Sequence, residues 1–211
     1  MTSTLPARTP GATGGAPVAL VSESALRHNV RLAVGGHDDV LAADGWGHGA
    51  AWVASVLSDL GVDAATLDAA TLFGLPGSGT RPVMSLRGRV LGTKPLLRGE
   101  GVSYGYTHRA SRDTTIALVT GGYAQGVVRS LGNVTTVVIG GDRHPIVGRV
   151  AMDVCVVDVG DTPILRGTEV VFFGDPGEGH PSLAEWTDAT HWSAAEIIAI
   201  AGSRVDRRVA A

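Results

Sequence analysis

Three glycine-flanked stretches hold the side chains best suited to chemistry: Tyr104 in GVSYGYTHRA, Tyr123 and Arg129 in GGYAQGVVRS, and Arg149 with Met152 in HPIVGRVAMDV. A tyrosine can move a proton, but a free phenol ionises only near pH ~10, so service as a base close to neutrality requires neighbours that tune it. Tyr104 also has a plainer reading, as an aromatic packing residue kept for folding in a glycine-containing turn. Arg129 and Arg149 likewise read as solvated or interface arginines, and Met152 as core or interface packing. Ser103 has no evident histidine and carboxylate pair to activate it. Lys94, in GTKPLL, is the only lysine of the chain, and so the only side-chain amine able to form a Schiff base.

Other candidate groups fit no recognised site. His37 with Asp38 and Asp39, and His180 with His191, lack the spacing of a metal centre, and no metal is expected. Cys155 is the only cysteine and cannot form an internal disulfide, which fits a reducing compartment. Its place in the alternating run DVCVVDV makes it a small core residue rather than a nucleophile.

The elements that must position these residues change character near residue 76. Before it, Ser24 to Val34 reads as an amphipathic helix with Leu26, Val30, Ala33 and Val34 on one side, and DVLAAD reads as a short strand ending in a glycine-rich turn. A second helix spans about Ala50 to Leu60, with Trp52, Val53, Val56, Leu57 and Leu60 at helical spacing and Gly61 at the C-terminal cap. VDAATL and ATLFGL look like short strands, so residues 18–75 read as a βαβαβ fragment, and LPGSGT supplies a linker at 76–80. From Arg81 the period switches to two, in VMSLRGRVL, TTIALVT, VTTVVI, HPIVGRV, DVCVVDV and EVVFFG, which predicts a mostly antiparallel β domain over 81–211. Ser182 with Glu185 and Ser193 with Glu196 have capping-box spacing, predicting two closing helices, the second burying Ile197, Ile198 and Ile200.

Composition supports a globular α+β chain. Of its 211 residues 44% are hydrophobic and 18% charged, enough apolar content to bury a core, and 30 glycines imply many turns. The net charge of -3 comes with 17 scattered basic residues, only Arg204, Arg207 and Arg208 being clustered, so the footprint of a nucleic-acid binder is missing. Residues 1–17 are rich in Pro, Gly, Ser and Thr without an apolar core segment, and read as a disordered leader rather than a signal peptide. No run reaches the roughly 18 apolar residues of a membrane span. A cytoplasmic protein is expected.

Taken together, RPVMSL, VSYG, GGYAQG, PIVGRVAMD, the VVFFG strand and the terminal RVDRR resemble, in order and spacing, the alanine racemase family over residues 81–211. Upstream, SALRHNVRL and ADGWGHGA are similar to the family's ALxxNxxxL and ADAYGHG signatures. The resemblance implies an isomerase that interconverts L- and D-alanine with pyridoxal phosphate, and a β/α barrel ahead of the β domain. Such barrels typically need about 250 residues, whereas roughly sixty stand here, so the resemblance implies a truncated barrel remnant, with a deletion between about Val62 and Leu72.

Racemisation of this kind needs an electron sink and two bases on opposite faces of the α-carbon. The resemblance places the cofactor-bearing lysine at Ala42, the phosphate-contacting tyrosine at Trp46, the arginine facing the pyridine nitrogen at Leu67, and a second phosphate tyrosine at Ala195. Alanine has no amine, so this chain is expected to hold no cofactor covalently by that route. What survives is Tyr104, implied as the second base that one subunit donates across a dimer interface, and Tyr123, Arg129, Arg149 and Met152, implied near the substrate entrance. His48 belongs to the GWGHG turn.

Three readings follow. The chain is a pseudoenzyme, inactive alone, forming a homodimer or a heterodimer with a complete racemase to which it offers Tyr104. Alternatively, it is a pyridoxal-phosphate racemase with its Schiff base relocated to Lys94. A third reading is a structural or dimerisation module that binds at most an alanine-like small molecule.

Overall fold

A computed structural model describes residues 16–210; the leader expected at 1–17 lies outside them apart from Ala16 and Pro17. β1 (Val18–Ser22) leads into α1 (Glu23–Ala33), where the Ser22 hydroxyl accepts from the Ala25 amide and Ala25, Leu26, Val30 and Ala33 face inward. Three further helices complete the first segment: α2 (Ala42–Trp46), α3 (Ala50–Asp59) and, after a 3-10 turn at Ala64–Thr66, α4 (Ala69–Phe73).

Three expected strands are not strands. At DVLAAD the Asp39 carboxylate accepts from the Leu41 and Ala42 amides, and the chain enters α2, a turn of left-handed conformation, with φ of 48°, 59°, 65° and 51° at Ala43, Asp44, Gly45 and Trp46. VDAATL forms the 3-10 turn instead, capped by Asp63, and contributes only the single bridge Leu67 to Val34. ATLFGL becomes α4 because Asp68 accepts from the Thr71 amide. In each case an aspartate offers the backbone a local partner that an isolated apolar run cannot match.

The second segment runs β2 (Met84–Leu96), β3 (Gly101–Val102), β4 (His108–Arg109), β5 (Thr114–Thr120), β6 (Thr136–Ile139), β7 (Asp142–Val147), β8 (Val154–Asp158) and β9 (Glu169–Phe173). It ends in α5 (Leu183–Thr190), α6 (Ala194–Arg204) and β10 (Asp206–Ala210). The fold is α+β, and both closing helices carry the expected capping boxes. Ile197 and Ile198 are buried, while Ile200 is only half-buried, at the edge of a surface depression.

Strands β2, β5, β8, β7, β6 and β9 pair antiparallel in that order, and β9 returns to β2, so the sheet closes into a barrel. β1 and β10, which no periodicity announced, extend the sheet beyond the start of β2; β1 pairs antiparallel with β2 and parallel with β10. One continuous cluster of buried side chains draws on both sides of the 76–80 turn, from Ala19, Leu26 and Phe73 to Phe172, Trp186 and Ile198. Cys155 lies inside it, and burial pushes its thiol up.

Two buried polar residues order the first segment, and Asn29 also joins it to the approach to β2. Fully buried Asn29 donates to the Leu72 and Arg81 carbonyls at 3.1 and 2.7 Å and accepts from the Arg81 amide at 3.1 Å, joining α1 to α4 and to the approach to β2. His48 stacks on Phe73, ring centroids 4.2 Å apart, with Nδ1 3.0 Å from the Gly45 carbonyl. Burial pushes the His48 imidazole down to about 4, aided by the Arg207 charge and opposed by hydrogen bonds to backbone carbonyls.

Asn29→Leu strands three backbone groups, and urea unfolding should show a loss of about 2 to 3 kcal/mol. The folded chain keeps His48 neutral while the unfolded chain protonates near ~6.5, so stability should be complete above that pH. It should fall by about 1.4 kcal/mol per pH unit on acidification toward about 4, then level off. In unfolding experiments across that window, His48→Phe should remove this slope.

Candidate active-site rim

Tyr104 stands on a short 3-10 turn, Tyr104–Tyr106, between β3 and β4, with 69% of its surface exposed. Three contacts fix that turn. The Ser103 hydroxyl donates to the Arg149 carbonyl at 2.6 Å, the Arg149 guanidinium lies against Gly105, and Tyr106 packs over Gly101. From the other side Asn133 donates to the Thr107 hydroxyl at 3.1 Å and accepts from the Gly148 amide at 2.6 Å. Ser103, at φ 60°, is held in a conformation that L-residues seldom adopt, and it touches Gly148, where any Cβ would collide with the Val102 carbonyl and with the Ser103 side chain.

The other retained residues form a second docked pair of loops. The Tyr123 and Ala124 amides donate to the Ala151 and Met152 carbonyls at 3.0 and 2.9 Å, and a Cβ at Gly122 would overlap the Met152 carbonyl. Gln125 completes the brace, accepting from the Gly122 amide and donating to Asp153 at 2.7 Å. The Arg129 guanidinium sits 5.6 Å from the centre of the Tyr123 ring, a cation-π contact. Tyr123 and Met152 remain exposed. Because Arg149 and Met152 are separated by only two residues, both groups belong to one rim.

Sequence reasoning did not single out the braces Asn133, Gln125 and Asp153, nor Trp192. Trp192 joins Tyr123, Val128, Arg129 and Ile200 around an open depression of about 320 Å³ beside the rim. Asn133, at φ 66°, directly follows a glycine, and that pair was the available signal of a specialised turn.

Ala42, Trp46, Leu67 and Ala195 are not part of this rim. Ala42 is exposed at the start of the α2 turn, and Trp46 Nε1 donates to the Asp39 carbonyl at 3.1 Å. Asp44 holds the turn in place: it accepts from the Ala50 amide and from Arg207, and these contacts lower its pKa in that order. Leu67 is fully buried, and Ala195 is half-buried in α6, the helix that packs against both the α2 turn and the Tyr123 loop. The α2 turn does not fit covalently held pyridoxal phosphate. It offers a methyl group at position 42, a committed indole N–H and an arginine already paired to Asp44, while Lys94 lies on β2.

The residues weighed as metal ligands have other contacts. Asp38 and Asp39 accept backbone amides, His191 ends α5 in the left-handed conformation, and His180 rests against Gly174 and Glu178. No group of three His, Cys, Asp or Glu residues suited to a metal occurs among the described residues. No described helix is long and apolar enough to cross a membrane.

The family model described as alanine racemase, C-terminal domain, matches residues 83–209. The alanine racemase of Salinispora arenicola is 45% identical over 130 residues, 61% of this chain and 35% of its own length. That of Thermobifida fusca is 39% identical over 143 residues, 68% of this chain and 38% of its own. The chain therefore spans little more than a third of these relatives.

Among solved structures, the alanine racemase from D-cycloserine producing Streptomyces lavendulae superposes with a TM-score of 0.64 at 29% identity, covering 81% of this chain and 54% of that one. That coverage is a larger share than residues 83–209 alone make up. The Bartonella henselae alanine racemase, solved with covalently bound pyridoxal phosphate, gives a TM-score of 0.60 at 29% identity over 66% of this chain and 40% of that one. With more than half of its length matched by the family model, and with these neighbours in sequence and structure, the chain belongs to the alanine racemase family.

Proposed function

We propose that this chain supplies half of an alanine racemase site. In this reading it does not racemise alanine alone; it associates through its β domain, as a homodimer or with a complete racemase, and in the second case presents Tyr104 to a substrate held by the partner. The observation that carries the reading is an asymmetry. Tyr104 is exposed on a turn braced by Ser103, Arg149 and Asn133, whereas an alanine occupies the position where the family resemblance puts the amine.

Within such an assembly the Tyr104 hydroxyl would give or take a proton at the α-carbon. Tyr123 and Arg129 would border the approach to the substrate, and the exposed Met152 would contribute apolar contact between subunits. A truncated barrel, residues 18–75 in this reading, would leave the partner to hold the cofactor.

The test mixes the purified chain with a full-length racemase whose own catalytic tyrosine has been changed to phenylalanine, and measures D-alanine formation. Turnover should be partly restored and should fall at least about tenfold with Tyr104→Phe, as expected for loss of a proton-transfer group. Absence of both a complex and rescue would reject the half-site. Turnover by the isolated chain with added pyridoxal phosphate, lost in Lys94→Ala, would instead favour the relocated Schiff base. Association without rescue would leave a dimerisation module.

A further inference from the structure

The outer face of the barrel carries a groove that the half-site reading does not use. Strand register builds it. Gly92, Lys94 and Leu96 of β2 stand opposite Leu118, Ile116 and Thr114 of β5, and Leu118 and Ile116 stand opposite Val156 and Asp158 of β8. All of these point away from the barrel interior, which takes Ala117, Val119 and Cys155 instead. The outward face of an exposed antiparallel sheet is ordinarily polar, yet here Leu96 and Ile116 form a second buried apolar cluster with Val102, Ala110 and Val147 beneath the β3–β4 ribbon.

Where the ribbon stops, the apolar floor continues into the open. The irregularity between Val90 and Gly92 displaces Leu91, and Gly92 leaves Leu118 without a cross-strand side chain on β2. Leu118 is consequently 41% exposed, and a Cβ built on Gly92 would meet nothing within 4 Å. The resulting groove has a volume of about 420 Å³ and is walled by Leu91, Leu118, Val156, Val102 and Ser103. That size falls within the usual range for small-molecule sites.

One charge lines it. Lys94 forms no ion pair among the described residues. The carboxylate on the same sheet face, Asp158, is engaged by the Thr114 hydroxyl at 2.6 Å and the Gly160 amide at 3.0 Å and does not line the groove. An apolar trough whose one charged lining residue is Lys94 is complementary to a slender apolar body carrying one negative charge. The groove lacks the several converging donors that a phosphate dianion would require.

We propose that this groove binds a linear aliphatic carboxylate, its chain lying over Gly92 between Leu91, Leu118 and Val156 and its head group meeting Lys94. The proposal does not rest on the half-site reading, because it uses neither the Tyr104 phenol nor a partner subunit, although Ser103, a brace of the Tyr104 turn, also walls the groove.

The test is calorimetric titration of the full chain with decanoate below its micellar concentration, alongside decanol as the uncharged match. Decanoate should bind at one site per chain and more tightly than decanol. Lys94→Met should weaken decanoate about fivefold, the scale of an exposed ion pair, and leave decanol unchanged. Gly92→Val should abolish both by filling the trough. Leu118→Glu, at an exposed position with little risk to folding, should abolish decanoate binding by charge repulsion. Failure of decanoate to saturate the parent chain overturns the proposal, as does binding that survives both Gly92→Val and Leu118→Glu in chains whose thermal unfolding matches the parent.

Discussion

Strand β2 is the constraint on which the rest of the molecule depends. Its thirteen residues pair with β1 and β9 along the first half and with β5 along the second. One strand therefore closes the barrel and also joins the N-terminal segment to it. Gly88 makes the crossing feasible: a Cβ there would collide with the Thr120 carbonyl, and the Phe172 ring occupies the adjoining space. Closure leaves no free edge around the barrel, so its loops can project side chains from a frame whose backbone groups are already satisfied.

The rim exploits that frame in a consistent way. Tyr104, Tyr123 and Met152 are exposed, yet the backbone carrying each is fixed by contacts from a neighbouring loop. In the proposed half-site, a side chain reaching a partner subunit would need this combination of a rigid base and a free tip. The α2 turn presents the opposite case. It keeps a left-handed path at Ala43, Asp44 and Trp46, which costs roughly 1 to 2 kcal/mol for each residue with a Cβ, although position 42 carries only a methyl group. Asp44, Arg207 and the close approach of Gly47 to Gly202 hold the turn against that cost.

The β domain was legible in the sequence because its strands alternate with period two and its helices begin with capping boxes, both local signals. TTIALVT forms β5 over the same seven residues. The first segment was less legible: DVLAAD, VDAATL and ATLFGL have apolar content suited to strands, but Asp39, Asp63 and Asp68 direct the backbone into turns and helix starts. β1 and β10 depend on pairing between residues nearly the whole described chain apart, information that no window of sequence contains. At the rim, motif order pointed to Tyr104, Tyr123 and Arg149 as candidates, whereas the braces Asn133 and Gln125 required tertiary placement.

Among the described residues β10 has one strand neighbour, β1, and its side chains are largely exposed, which makes it a weakly protected strand of the large sheet. Its Arg207 is also the residue that grips Asp44 and the Gly47 carbonyl of the α2 turn. Peeling of β10 would release that grip, leaving a left-handed turn without one of its main restraints. Amide exchange in the two segments should then report a single cooperative opening rather than two, which makes the last strand a latch on a turn more than 160 residues earlier in the chain.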